Sequence, residues 1–341
     1  IGYMADIPEG SKWLTVIVCA TITIQAVIHV FGVKLADRIN SIAVFTEIVG
    51  MLGLIIILGV LLIKDGASGE MITVRGDHIT DTSWITTFLM AALMGAYTLV
   101  GFESAANLSE ETVNAGSTVP KAVIWSVLVS GIVGTVFLLV TTLSIGDLGE
   151  VIDATYALPT IIESRLGSVI SNAFFVLVII SIFACGLIIM ASGSRLIYAM
   201  ARDDVFPMSD MFSSVSEKSG APIPAVVLML GLGLLAELFS ESLEQLLLAA
   251  AVLPALIYLS TIVAYLKQRD SMPLRFGTFT LGRFGKPVGV MAAGWLLFVI
   301  GVLTIPEEFQ FTALVSLLLC LSGLIPYYLW AAGKGNEHSN S

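Results

Sequence analysis

Charge is what this sequence has least of: Asp, Glu, Lys and Arg make up 12% of its 341 residues, against about a quarter in a soluble domain. With 57% hydrophobic residues and a mean hydropathy of +0.96, that scarcity excludes an ordinary globular enzyme, a disordered chain and a coiled coil. Positive charge is the scarcer sign. The 16 Lys and Arg against 26 Asp and Glu leave a formal net charge of −10, so nucleic acid, which clustered cations must bind by displacing counterions, is not an expected partner. Cysteine is nearly absent as well. Cys19, Cys185 and Cys320 each sit inside an apolar run, an odd count without metal-ligand spacing, and neither a metal nor a cofactor is expected.

What the sequence does have is long apolar runs. A helix needs about 20 mostly apolar residues to cross the hydrocarbon core, and nine runs qualify or nearly so: 13–31, 40–63, 84–107, 122–145, 171–197, 223–239, 243–266, 288–305 and 312–331. The sixth is short, and the run at 148–170 is amphipathic and too polar to span. Lipid-facing barrel strands would alternate over roughly ten residues, so the expected class is all-α, a polytopic protein of one transmembrane domain, 1–341. Orientation follows from Lys and Arg. With the N-terminus outside, twelve of these residues fall on inner segments and four on outer ones (Lys12, Lys64, Arg75 and Arg165), and 267–286 alone carries five of the twelve. The expectation is an integral cell-membrane protein with a cytoplasmic C-terminus, in contact with membrane lipid.

Ionisable groups at membrane depth are costly and are therefore functional candidates. Glu47, in IAVFTEIVGMLGL, lies roughly 15 Å into the second span. Desolvation there favours the protonated acid; its two readings are ion coupling or gating, and a structural hydrogen bond to a neighbouring helix. Glu103, in MGAYTLVGFESAANLSEET, sits near the inner end of its span, either as a gating or proton-linked group or in a helix contact. Gln25 and His29 are four residues apart and share a face of the first span; packing is the expectation for this lone His. Between Gly95 and Gly101 lies Ala96-Tyr97-Thr98-Leu99-Val100. Such glycines permit either close helix packing or an unwound helix whose free backbone groups meet a substrate near the midplane. Glycine spacing alone favours packing. Pro254 is expected to kink its helix.

Three motifs in order resemble the amino acid–polyamine–organocation superfamily of permeases: GVKLADRINSIAVFTEIVG (32–50), GFESAANLSEETVNAGSTVPKAV (101–123) and SGSRLIYAMARDDVFP (192–207). The acid at Glu47 and the SEET wording are similar to the branch of choline and γ-aminobutyrate-type permeases. The resemblance implies a leucine-transporter-like fold of two inverted repeats with broken first and sixth helices, of which this chain carries helices four to twelve and lacks the first three. It places Ala96, Tyr97, Val100 and Gly101 in the broken sixth helix as substrate-binding residues, with Tyr97 closing over the substrate from outside. Glu47 falls where some proton-coupled relatives carry a lysine, so the lysine mechanism is not transferred. Ser192 and Ser194 lie on the eighth helix, where hydroxyls help to hold sodium in coupled relatives; backbone hydrogen bonding is the expected role here. Arg202, Asp203 and Asp204 are either an inner gate of charge pairs or a solvated helix end.

The function implied is a permease moving amino acids or related amines by ion-coupled symport or exchange through alternating access, with a proton or sodium ion as the co-transported species. The alternative is a non-transporting membrane scaffold or assembly subunit. An enzyme is not expected, because Glu47 and Glu103 are the only acids within the spans and no nucleophile–base pairing accompanies them.

Overall fold

The structure is a computed structural model describing residues 5, 7, 11–66, 69–74, 88, 91, 95, 98–239, 243–271, 279–305 and 307–326. The described residues form helices and no strand. In chain order the main helices are α1 (Lys12–Phe31), α2 (Val33–Asp65), the single turn α3 (Ser104–Asn107), α4 (Ala115–Leu143), α5 (Ala157–Arg202), α6 (Ile223–Phe239), α7 (Leu243–Gln268), α8 (Gly285–Thr304) and α9 (Glu307–Ser322). Six described segments are long and apolar enough to cross a membrane: Lys12–Phe31, Leu35–Asp65, Ala115–Leu143, Ala157–Arg202, Ala249–Gln268 and Gly282–Thr304. Helices α6 and α9, at 17 and 16 residues, fall below that length. The run expected at 84–107 lies mostly outside the described residues; within it Phe88, Ala91, Gly95 and Thr98 are helical. Large apolar side chains stand exposed along the helices, among them Ile56, Val60 and Ile63 on α2 and Trp295, Leu297 and Phe298 on α8. Water would not tolerate so large an apolar surface. Lipid does, and the chain is an all-α polytopic membrane protein.

The chain divides into two compact units, residues 1–81, 128–194 and 215–237 in the first and residues 82–127, 195–214 and 238–341 in the second. In the first, Ala26 of α1, Met190 of α5 and Val226 of α6 form one buried cluster. Leu54 and Leu58 of α2 pack with Ile162 and Phe174 of α5 in another, flanked by Phe137 and Val140 of α4. Small residues set these approaches: a Cβ on Gly50 would stand 2.6 Å from Leu177 Cδ1. In the second unit, Ala251 and Val252 of α7 bury against Leu303 of α8.

Helix α5 has 46 residues, about 69 Å at 1.5 Å per residue and far more than a bilayer needs. It joins the amphipathic stretch before 171 to the apolar run through a bend at Gly167 (φ 78°, ψ 165°), a backbone conformation open to glycine and costly for other residues. The bent segment is held by Arg165, whose Nε donates to Ser144 O at 2.7 Å and whose Nη1 lies 3.6 Å from Asp65 Oδ2. Helix α7 runs without interruption through Pro254, where the sequence predicts a kink.

Several hydroxyls within the helices are satisfied locally. Thr141, Ser144 and Ser316 donate to the carbonyls of Phe137, Val140 and Thr312, four residues back, the usual resort of a hydroxyl with no water available. Gln25 instead reaches across to α5, where its Nε2 donates to Phe183 O at 2.9 Å, while its own backbone carbonyl lies 2.9 Å from His29 Nδ1. Both side chains are buried, and the packed role expected for His29 is the one its surroundings describe.

A Cβ on Gly186 would run into the Gln25 carboxamide, whereas one on Gly53 meets nothing within 4 Å. Gly186→Ala is therefore expected to break the Gln25–Phe183 bond and destabilise the protein by about 1–3 kcal/mol. Gly53→Ala is expected to be neutral or to stabilise by up to about 1 kcal/mol. Thermal unfolding of the two variants side by side in detergent checks this order.

Candidate functional site

The third run departs from a simple crossing helix. Residues Leu99–Glu103 are turns, and Gly101 has φ +104° with open space around the position of a Cβ. An L side chain rarely adopts that φ, so glycine is needed for backbone conformation rather than for close packing. Of the two readings that the glycines allowed, the backbone adopts the unwound one. The chain then re-enters a single helical turn, α3, through Ser104 N–H to Gly101 O (3.1 Å) and Ala106 N–H to Glu103 O (2.8 Å).

One side chain holds this break, and the sequence reading passed over it. Tyr258 of α7 donates its hydroxyl to Glu103 Oε2 and stacks its ring on Phe102 at 4.8 Å between centroids and 34°. All three residues belong to the second unit. A tyrosine in mid-span needs a partner for its O–H, and that requirement is the signal that would have singled it out. Glu103 thus makes a helix contact, one of its two expected roles. Of the expected substrate-binding residues, Val100 and Gly101 stand in the break, half-buried. Ala96 and Tyr97 lie outside the described residues.

Beyond α3, Glu110 and Arg202 form a two-pronged ion pair, Nη1 to Oε2 and Nη2 to Oε1, both at 2.8 Å. Arg202 also reaches Asp203 at 3.3 Å and stands 5.9 Å from the centre of the Tyr198 ring. The pair borders a cavity of about 230 Å³ lined by Ala106, Asn107, Ser109, Arg195 and Tyr198. The Arg202 hydrogen bond holds the Glu110 carboxyl below the usual carboxylate range. Arg202 is thus charge-paired at an exposed helix end, with 43% of its side chain open.

In the first unit, Glu47 borders a cavity of about 190 Å³ between α2 and α5, with Gly50, Phe174, Leu177 and Ser181 in its wall. Its side chain is exposed and, among the described residues, makes no hydrogen bond or ion pair. The structural reading of Glu47 thus finds no partner there. Cys185, one turn beyond Ser181, feels its charge. Ser194 donates to Ala191 O at 3.1 Å, the backbone bonding expected of it.

The family model described as amino acid permease matches residues 2–325. The amino-acid permease BAT1 of Arabidopsis thaliana is 26% identical over 314 residues, covering 85% of this chain and 59% of that protein. An uncharacterized amino-acid permease of Schizosaccharomyces pombe is 24% identical over 303 residues, 83% of this chain and 52% of its own length. The low-affinity putrescine importer PlaP of Escherichia coli is 23% identical over 236 residues, 69% of this chain and 51% of its own. The chain spans about half the length of these curated relatives.

Glu110 has a depressed folded-state pKa, so its pairing stabilises the protein above the ordinary Glu range, where the carboxylate is ionised in both states. That contribution is lost as pH falls through the depressed folded value. Above the ordinary Glu range, Glu110→Gln is expected to lower the unfolding temperature by a constant amount, and the difference is expected to shrink as pH falls through that range and below it. Unfolding scans at stepped pH measure it. The exchanged pair Glu110→Arg with Arg202→Glu is expected to recover part of what either single reversal loses.

Proposed function

Because the chain belongs to the amino acid permease family, matched from residue 2 to residue 325, we propose that it is the core of a secondary transporter for amino acids or related amines. The observation that carries this reading is the break at Leu99–Glu103, held open by Gly101 and by Tyr258 on Glu103. Interrupted helices expose backbone N–H and C=O groups at membrane depth, where they meet the charged ends of a zwitterion or amine. Val100 and Gly101, with Ala96 and Tyr97 from the run before them, are proposed to line the substrate. Similarity to a putrescine importer as well as to amino-acid permeases supports a substrate class that includes amines.

Glu103 is proposed as the gating acid. Bound to Tyr258 it anchors the broken segment to α7, and a change in its protonation alters that anchor. Glu47 is proposed as the coupling group, a carboxylate with no hydrogen bond or ion pair among the described residues, beside a cavity large enough for water. Loading it with a proton, or pairing it with a sodium ion, makes a membrane-depth charge bearable only when the ion is carried. A potential of 100 mV is worth about 2.3 kcal/mol per charge moved, enough to drive uptake by symport. Exchange of substrates across the same site is the mode expected when no gradient is imposed. Alternating access of the leucine-transporter type, with this chain contributing helices four to twelve, completes the reading.

Proteoliposomes loaded with unlabelled amino acids and putrescine are expected to take up the labelled compounds in saturable fashion. Tyr258→Phe and Glu103→Gln are expected to cut uptake by about tenfold or more, one to two lost charge-assisted hydrogen bonds' worth. Glu47→Gln is expected to keep exchange while losing its response to an imposed proton or sodium gradient. Absence of uptake together with no thermal stabilisation by any of these substrates would instead make the chain a non-transporting scaffold.

A further inference from the structure

The segment joining α7 to α8 is the most basic stretch of an acidic protein. Residues 267–286 carry five basic residues and one acidic one in a chain of net charge −10. Both flanking helices are long and apolar enough to cross the membrane, so the segment lies at a bilayer surface. Arg269 is spent on architecture: it donates to the Tyr265 hydroxyl and to Gly282 O, and its guanidinium fills the space where a Cβ on Gly285 would stand. That clamp fixes the single turn Gly282–Phe284 at the mouth of α8. Around it Phe279, Leu281 and Phe284 are 41%, 43% and 58% exposed; Arg283 in the same turn is exposed, as is Lys267, two residues before the clamping Arg269. The Arg283 guanidinium lies 5.0 Å from the centre of the Phe284 ring. Lys286 is paired with Asp270 at 2.7 Å, yet 53% of its side chain stays open. Helix α8 begins here without a side-chain cap, and its N-terminal dipole adds positive potential.

We propose that this clamped turn is a binding site for anionic phospholipid headgroups of the bilayer that the protein itself spans. Phe279, Leu281 and Phe284 sink into the acyl boundary, while Lys267, Arg283 and Lys286 take the phosphates. Apolar rings set among cations at a membrane surface are the chemistry of an interfacial lipid site; a soluble acidic partner would leave the three apolar side chains in water. The inference needs only membrane insertion and stands whether or not the protein transports.

The test is native mass spectrometry of the detergent-purified protein offered equal phosphatidylglycerol and phosphatidylcholine. The wild type is expected to retain phosphatidylglycerol preferentially, and Lys267→Gln/Arg283→Gln/Lys286→Gln to lose that preference by at least roughly tenfold, given about fivefold per charge at an anionic surface. Arg38→Gln, a basic change on α2, is expected to keep it. Should the triple variant not fold, Arg283→Gln alone is read for a loss of about fivefold. No preference in the wild type, an unchanged preference in the variant, or an equal loss in Arg38→Gln overturns the proposal.

Discussion

A helix interrupted inside a membrane survives only if the backbone groups it frees find partners away from lipid. Here the broken segment is anchored by Tyr258, which supplies a hydrogen bond to the Glu103 side chain and a ring face to Phe102 at the point where Gly101 turns the chain. The rest of the second unit's candidate machinery follows from the break. It sets where the single turn α3 starts, and α3 leads to the Ser109–Glu111 turn that carries Glu110 to Arg202. One cavity lies beside that path, lined by residues on both of its sides. Tyr258 sits one turn after Pro254, where the missing N–H leaves a carbonyl of α7 without its usual donor. A region already short of helical hydrogen bonds is a reasonable place for a side-chain anchor.

The first unit handles polarity differently. Its buried Thr141, Ser144 and Ser194 hydroxyls bond back along their own helices, and the buried carboxamide of Gln25 reaches across to α5. Close approaches at Gly50 and Gly186 stand in for the hydrophobic driving force that lipid removes. Against that background Glu47 is the exception: an acid at membrane depth, beside a cavity, with no hydrogen bond or ion pair among the described residues. Every other polar contact discussed in this unit has a structural explanation in hand. Glu47 has none among the described residues, which is why it is proposed for coupling rather than for packing.

The helical class and membrane setting were legible in the sequence because run length and charge scarcity are global properties that no tertiary detail overrides. Family membership was legible in three motifs whose order and wording are independent of geometry. The break at Gly101 was only half legible. Two glycines six residues apart are compatible with packing and with unwinding, and only the left-handed φ decides between them. Tyr258 was not legible as a partner of Glu103, since the two are 155 residues apart and a tyrosine in an apolar helix looks like core. The Glu110–Arg202 pair was visible as charge on both sides but not as a pair, because nothing in the spacing of 92 residues brings them together. The extension of α5 back to Ala157 was hidden by the polar face of its first turns, which hydropathy reads as a loop.

The central claim is that the backbone at Gly101, rather than any side chain there, presents the substrate site. Equilibrium binding of labelled amino acids and putrescine to Gly101→Ala, beside Gly95→Ala, tests it most directly. Among the described residues neither glycine has anything within 4 Å of a Cβ, and of the two only Gly101 holds a positive φ. The account predicts that Gly101→Ala loses binding by about tenfold or more, with its helical content intact, while Gly95→Ala binds as the wild type does. Equal binding by the two variants would contradict it.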